Sequence, residues 1–117
     1  MIVTKFGGSS LADAAQFQKV KEILSMDPER KYVVPSAPGR RGPGDDKITD
    51  LLYAAHNAAQ SGKTFKHLLE RIQGRYQEIT DELSIDVDIN GEFAQIEQNL
   101  AAGASPDYAA SRGEYLN

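Results

Sequence analysis

The chain contains no cysteine and no tryptophan, and only 8% of its 117 residues are aromatic. The absence of cysteine excludes disulfide bonds and thiolate metal sites, and it is compatible with a reducing compartment. No apolar run approaches the length of a membrane span, and the first residues are not a basic segment followed by an apolar one. We therefore expect no membrane association and no secretory signal, and the cytoplasm is the expected location.

An excess of positive charge is also missing. The chain has 13 lysines and arginines against 17 aspartates and glutamates, which gives a formal net charge of -4 with both signs interspersed. Nucleic acid is an unfavoured partner, because its recognition needs a basic surface. The composition, 40% hydrophobic and 26% charged, is typical of a soluble globular protein with a core of its own.

The strongest local signal is a strand-to-helix transition at the start of the chain. The β-rich run Ile-Val-Thr-Lys-Phe, residues 2–6, leads into Gly7, Gly8 and Ser9. Glycines at such a turn let backbone N–H groups approach a ligand, and the helix N-terminus that follows favours an anion. Lys5 adds a positive charge. The pattern indicates a phosphate site, while an ordinary βα turn with a solvated lysine is the alternative interpretation.

A second β-rich run, residues 31–35, follows an amphipathic helix that the apolar spacing predicts over about residues 11–26. Two strands joined by a helix favour a right-handed crossover and a parallel sheet. Ligands bind at the carboxyl ends of the strands in such sheets. Both strands end there in polar, glycine-rich loops, residues 7–10 and 36–47, and we expect the two loops to share one face.

The remainder of the chain has helical periodicity. Ser10 and Asp13 have the spacing of a capping box for the first helix. Later helices are predicted to start at Ile48, after Thr64 as N-cap, after Asn90 as cap, and at Ser105-Pro106. Two strands do not make a stable sheet of this class, and the last helix has no C-cap signal. We therefore expect the chain to be the N-terminal piece of a longer protein.

Two further motifs allow a functional and a plain structural interpretation. The run from Asp86 to Gly91, followed by Glu97, fits the oxygen ligands and glycine of an EF-hand calcium loop. It occurs once and has Ala94 at the ninth position, so a capped polar turn is the favoured interpretation. Arg40 and Arg41 are either a phosphate-facing pair or a solvated loop tip.

Three separated segments resemble the aspartate kinases, which are members of the amino acid kinase family. Lys-Phe-Gly-Gly-Ser-Ser at residues 5–10 resembles the family's opening motif, and residues 33–39 resemble its second strand and Ser-Ala loop. Ser-Arg-Gly-Glu at residues 111–114 resembles its Ser-x-Gly-Glu helix, and Thr49 matches a threonine before a leucine pair. Pro35 departs from the family pattern, in which a β-branched or apolar residue is commoner.

The resemblance implies an α/β fold in which residues 1–117 are the N-terminal portion of an amino acid kinase domain. That domain is a carbamate-kinase-like α/β/α fold with a mainly parallel sheet, and the second half of this chain is helix-rich. The implied reaction is transfer of the γ-phosphoryl group of ATP, with Mg²⁺, to the β-carboxylate of L-aspartate. The product is 4-phospho-L-aspartate, and the reaction is the first step of lysine, threonine and methionine synthesis.

The same resemblance implies roles for individual residues, and none of them is a metal ligand. Residues expected at the ATP phosphates are Lys5, Phe6, Gly7, Gly8 and Ser9, with Lys5 as the catalytic group. Residues expected at the aspartate are Ser36, Thr49 and Glu114. A carboxylate at Glu114 would pair with the substrate ammonium group; the alternative is a solvated helix carboxylate.

The family's remaining active-site residues would lie beyond Asn117, so we expect the 117-residue chain alone to be catalytically incompetent and to bind ATP weakly or not at all. The complete protein is expected to be a homo-oligomer. Two alternatives stay open at this point. One is an amino acid kinase that acts on acetylglutamate, carbamate or a nucleotide, and the other is a single calcium-binding helical module.

Overall fold

The computed structural model describes all 117 residues, and it is a helix-rich α/β structure with a small parallel sheet. The elements, in chain order, are β1 (Val3–Phe6), a 3₁₀ turn (Gly8–Leu11), α1 (Ala14–Ser25), β2 (Tyr32–Pro35), α2 (Ile48–Gln60), α3 (Lys66–Glu82), α4 (Ile89–Ala101) and α5 (Pro106–Leu116). None of these helices has both the length and the apolar composition needed to cross a membrane.

The sheet consists of β1 and β2 in parallel, with Val3 opposite Tyr32 and Phe6 opposite Pro35. The predicted strand-helix-strand unit is therefore confirmed. Pro35 has no backbone N–H and ends β2, so the next ladder bond is made by Ser36, whose N–H donates to the Phe6 carbonyl at 3.1 Å.

The start of α1 corrects the predicted capping box. Ser10 lies inside the 3₁₀ turn, where its N–H donates to the Gly7 carbonyl. Asp13 is the N-cap instead, and its Oδ1 accepts a hydrogen bond of 3.0 Å from the Gln16 N–H. The extra turn delays the start of the helix to Ala14.

The caps of the later helices were predicted with mixed success. Ser105 caps α5 as predicted, with its Oγ accepting from the Tyr108 N–H. Thr64 does not cap α3, which has Phe65 at its N-cap and no side-chain cap bond. Asp88, rather than Asn90, caps α4.

The core lies among the four helices α2 to α5. The largest side chains in it with no more than 2% exposure are Ile48, Leu52, Ile72, Ile96 and Leu100. Helix α2 packs against each of the other three helices. The buried Tyr76 hydroxyl donates to the Gly113 carbonyl at 2.9 Å, which fixes α5 against α3. This helical body supports the loops at the carboxyl ends of the strands.

Candidate functional site

The loops that leave β1 and β2 touch each other, as the sequence predicts. The Gly39 N–H donates to the Gly8 carbonyl at 2.8 Å. A Cβ at Gly39 would lie 2.7 Å from the Gly8 carbonyl carbon and 2.9 Å from the Ser9 nitrogen. Only glycine permits such an approach between two backbones. The two loops therefore form one continuous surface at the carboxyl edge of the sheet.

A polar cleft of about 440 Å³ opens on this surface. Its lining comes from both loops, the start of α2 and one residue of α5. These lining residues are Gly8, Ser9, Ser36, Ala37, Pro38, Gly39, Arg40, Lys47, Thr49 and Glu114. Three separated segments that resemble one family thus converge on a single cleft, although they are more than 100 residues apart in sequence at the extremes.

Three residues predicted at the phosphate site do not line the cleft. The Phe6 side chain is buried, and the Phe6 carbonyl is engaged with Ser36. Lys5 precedes it in β1, so its side chain projects from the opposite face of the strand. Lys5 and Gly7 are exposed. The Phe6 ring contributes to the interior, so this residue's side chain is not part of the cleft surface.

Helix α5 is held against the β2 loop by close packing. A Cβ at Gly113 would lie 2.5 Å from the Ala37 Cβ, so the helix can dock here only with glycine at this position. The Asn117 Nδ2 donates to the Ser36 carbonyl at 2.6 Å. Glu114 follows Gly113 and is exposed, with no ion pair in the structure. Its carboxylate is therefore available to a cationic group in the cleft.

The structure separates the two arginines that the sequence suggested as a phosphate-facing pair. Arg40 lines the cleft, whereas the Arg41 side chain donates to Asp45 and to Glu78 on α3. The hydrogen bonds between Arg41 and Asp45 raise the pKa of the arginine and hold the pKa of the Asp45 carboxyl well below its usual range. Arg41 is therefore a structural residue of the loop.

Lys47 is a cleft residue that the sequence analysis missed. It lies at the N-cap position of α2, and its side chain makes no cap hydrogen bond. Together with Arg40 it adds two cations to a cleft whose lining also includes the Glu114 carboxylate. The sequence signal that could have identified Lys47 was its position two residues before Thr49. The cleft thus offers separate positive and negative groups to a ligand.

The EF-hand interpretation of the run after Asp86 is wrong. Helix α4 already begins at Ile89, so Asn90 and Gly91 lie in its first turn and not in a calcium loop. The Asp88 carboxylate accepts from the Gly91 N–H at 3.0 Å, and a Cβ at Gly91 would collide with that carboxylate. The glycine at this position is explained by the helix cap.

No protein-family model matches the chain. Aspartokinase 3 of Bacillus subtilis strain 168 is 46% identical over 85 residues, which cover 73% of this chain and 19% of that protein. The crystal structure of Clostridium acetobutylicum aspartate kinase matches with a TM-score of 0.96 and 54% identity, over all of this chain and 27% of that one. E. coli aspartokinase III in complex with lysine and aspartate matches with a TM-score of 0.78 and 26% identity, over 99% of this chain and 26% of that one.

A polar cleft at the carboxyl ends of parallel strands defines a small-ligand site of the α/β class. The comparisons specify the class further: the chain belongs to the aspartate kinase family. It spans about a fifth of the length of the curated relative and about a quarter of the solved kinases.

Proposed function

We propose that this chain forms the aspartate-binding side and part of the phosphate-binding side of an aspartate kinase active site. The complete protein transfers the γ-phosphoryl group of ATP to the β-carboxylate of L-aspartate and yields 4-phospho-L-aspartate, the first step of lysine, threonine and methionine synthesis. The observation that carries this proposal is the convergence of Gly8, Ser9, Ser36, Thr49 and Glu114 on one cleft. Residues 1–117 are then the N-terminal portion of a carbamate-kinase-like α/β/α domain.

The phosphate side is built around the turn after β1. Phosphoryl transfer depends on positioning of the reactants and on neutralisation of the phosphate charge. The backbone N–H groups near Gly7 and Gly8 and the Ser9 hydroxyl therefore donate hydrogen bonds to the phosphate oxygens. Phe6 contributes through its backbone only. Lys5 is the proposed catalytic group, and its exposed side chain is long enough to turn towards phosphates placed over the turn.

The aspartate side is built from Ser36, Thr49 and Glu114. The substrate ammonium group pairs with the Glu114 carboxylate, a charge-assisted contact that selects an amino acid. Hydroxyls of Ser36 and Thr49 hydrogen-bond the substrate. The supporting comparison is E. coli aspartokinase III, solved in complex with aspartate and ADP, which this chain matches with a TM-score of 0.76 and 28% identity.

The proposal includes Mg²⁺ as the counterion of ATP. Glu114 is the one carboxylate among the residues that line the cleft, and the chain has no cluster of three or more metal-ligating side chains. Mg²⁺ is commonly held by one or two carboxylates together with substrate phosphates. We therefore expect the ion to be held mainly by ATP and by residues outside this chain.

The remaining expectations rest on the family resemblance. The complete protein is proposed to be a cytoplasmic homo-oligomer. The 117-residue chain alone is proposed to lack activity, because the family's catalytic aspartate, second phosphate lysine and adenine pocket would come from further chain. Equilibrium titration of this chain with ATP tests that point, and tight binding would contradict it.

The deciding experiment is a coupled ATP-consumption assay with L-aspartate on the longest natural protein that contains these residues. We expect aspartate-dependent turnover, a large loss in Lys5→Ala and a raised KM for aspartate in Glu114→Gln. Matched controls are Lys19→Ala on α1 and Glu70→Gln on α3, both exposed and outside the cleft. Turnover with acetylglutamate or carbamate but not with aspartate would keep the fold and reject the substrate.

A further inference from the structure

Arg75 on α3 is a buried cation with an unusual set of partners. The residue is 6% exposed. Its Nη2 donates to the carbonyls of Ala12 at 2.8 Å and Gly39 at 2.7 Å, and its Nη1 donates to the carbonyl of Asp46 at 3.2 Å. One carboxylate is near, with Asp45 Oδ2 at 3.6 Å from Nη1. Three backbone carbonyls thus share one guanidinium group.

The three carbonyls belong to three segments that border the cleft. Ala12 directly follows the 3₁₀ turn after β1, and Gly39 lies in the loop after β2. Asp46 immediately precedes Lys47, which lines the cleft at the start of α2. Since the Gly39 N–H donates to the Gly8 carbonyl, Arg75 closes a hydrogen-bonded ring that joins the loops of both strands.

The guanidinium group is the side chain suited to this geometry. Its planar fork carries five N–H donors in fixed directions, whereas a lysine ammonium is a point charge on a flexible stem. Burial lowers the pKa of Arg75, which reflects the loss of hydration around its charge. Removing Arg75 alone leaves the carbonyls of its three partners and the nearby carboxylate without their donor, and buried acceptors left in this way are costly. The role of Arg75 is therefore to hold these partner groups in a fixed arrangement.

We propose that Arg75 is a positioning residue, which fixes the two strand-end loops and the start of α2 relative to one another and so aligns the phosphate side of the cleft with the aspartate side. The expected effect on turnover rests on the proposed function, whereas the expected effect on the loops rests only on the hydrogen bonds of Arg75. Arg75 is not among the residues that line the cleft, and it acts on one of them, Gly39, through the backbone carbonyl.

The test uses the longest natural protein that contains these residues, with Arg75→Met and Arg75→Lys as variants. The matched control is Arg71→Gln, one helical turn earlier, where an exposed arginine pairs with the Asp46 side chain. Hydrogen exchange followed by mass spectrometry should show faster exchange in residues 7–13 and 36–47 of both Arg75 variants. Exchange in α4 and α5 should be unchanged, and the control should match wild type.

Kinetics provide a second readout. Misplaced reacting groups reduce turnover, so we expect kcat to fall about 100-fold while the KM values for ATP and aspartate change much less. A third variant, Arg75→Ala, is used for chemical rescue: guanidinium ion, added below its denaturing range, should restore part of the kcat of Arg75→Ala and none of the kcat of Lys5→Ala. A merely structural role would give neither the split between kcat and KM nor this rescue.

Wild-type exchange in both loops of Arg75→Met would overturn the inference, and so would faster exchange spread evenly over the whole chain. If Arg75→Met fails to fold by circular dichroism, Arg75→Lys decides by the same exchange pattern. An absence of aspartate-dependent turnover in the wild-type protein would reject the proposed function, while the exchange result would still decide the role of Arg75.

Discussion

The strand half of this chain (residues 1–47) and its helical half (residues 48–117) differ in how far they bury their apolar residues. In α2, Ile48 and Leu52 are fully buried. In the sheet, Val3, Tyr32 and Val34 are 59%, 56% and 47% exposed. The strand half therefore buries little of its own apolar surface, although its loops supply most of the cleft. The comparison teaches that the strand half supplies most of the cleft lining, whereas the helical half holds that lining in place and adds Thr49 and Glu114 to it.

The link between the halves consists of a few specific contacts. Arg75 holds both strand-end loops, and Gly113 lets α5 dock on Ala37. Pro38 is fully buried, and its carbonyl accepts from the Ile48 N–H at the start of α2. Each contact can be changed by a single substitution, so the contrast between the halves is open to experiment.

The largest expected effect is loss of the helical core. Leu52→Ala should destabilise the 117-residue chain by about 2 to 5 kcal/mol, since it removes a fully buried side chain and leaves a cavity. Val33→Ala is the matched change in the sheet, where the side chain is 40% exposed, and should cost less than about 1 kcal/mol. Urea unfolding measures the free energy of unfolding of both variants, and equal losses would contradict the proposed difference between the strand half and the helical half.

The next effect concerns the contact between the strand-end loops. Gly39→Ala places a Cβ against the backbone of Gly8 and Ser9, which cannot move aside as a flexible side chain would. Aspartate-dependent turnover of the complete protein should fall about 100-fold. Gly42→Ala in the same loop meets open space and should be neutral. A neutral Gly39→Ala would mean that the loops do not touch in the working enzyme.

The ion pair in the loop after β2 predicts a pH-dependent effect. Because the folded-state pKa of Asp45 lies below the value of about 3.9 for an unfolded aspartate, its contribution is fully present above that value and is lost as the pH falls through the folded pKa. Asp45→Asn should cost about 1 kcal/mol at neutral pH and progressively less below about pH 4. Urea unfolding at several pH values measures this, with the exposed Asp86→Asn as control. A cost independent of pH would contradict the charge argument.

The smallest effect distinguishes two helix glycines. Gly74 on α3 is exposed and a Cβ there meets nothing, so Gly74→Ala should stabilise the chain by about 0.5 to 1 kcal/mol. Gly113→Ala should destabilise it, because its Cβ would overlap that of Ala37. Thermal unfolding measures both. Adding Ala37→Gly to Gly113→Ala should recover part of the loss, and no recovery would argue against this docking contact.

Local patterns in the sequence predicted most of the fold. The apolar stripes predicted all five α-helices, because burial of one face imposes a helical period on the sequence, and the β-rich composition of two short runs predicted both strands. The capping residues predicted at Ser10, Thr64 and Asn90 were wrong: Ser10 lies in a 3₁₀ turn, α3 begins one residue later without a side-chain cap, and Asp88 caps α4 in place of Asn90. The first residue of a helix depends on competition between neighbouring groups that can cap it, and the apolar periodicity of the sequence carries no information about that competition.

The candidate site was predictable where its residues lie in recognisable motifs. Ser36, Thr49 and Glu114 were named from sequence and do line the cleft. The bond from Arg41 to Glu78 spans 37 residues, and the bond from Arg75 to Ala12 spans 63. A charged residue in a helix ordinarily faces solvent, so only the tertiary structure reveals a buried arginine that binds distant carbonyls.

A crystal structure of the longest natural protein containing these residues, with L-aspartate and ADP bound, tests the central claim most directly. The account predicts the aspartate ammonium group within hydrogen-bonding distance of the Glu114 carboxylate. The substrate should also contact the Ser36 and Thr49 hydroxyls, and the ADP phosphates should face the Gly7–Ser9 turn. Aspartate bound elsewhere, with Glu114 left in solvent, would contradict the account.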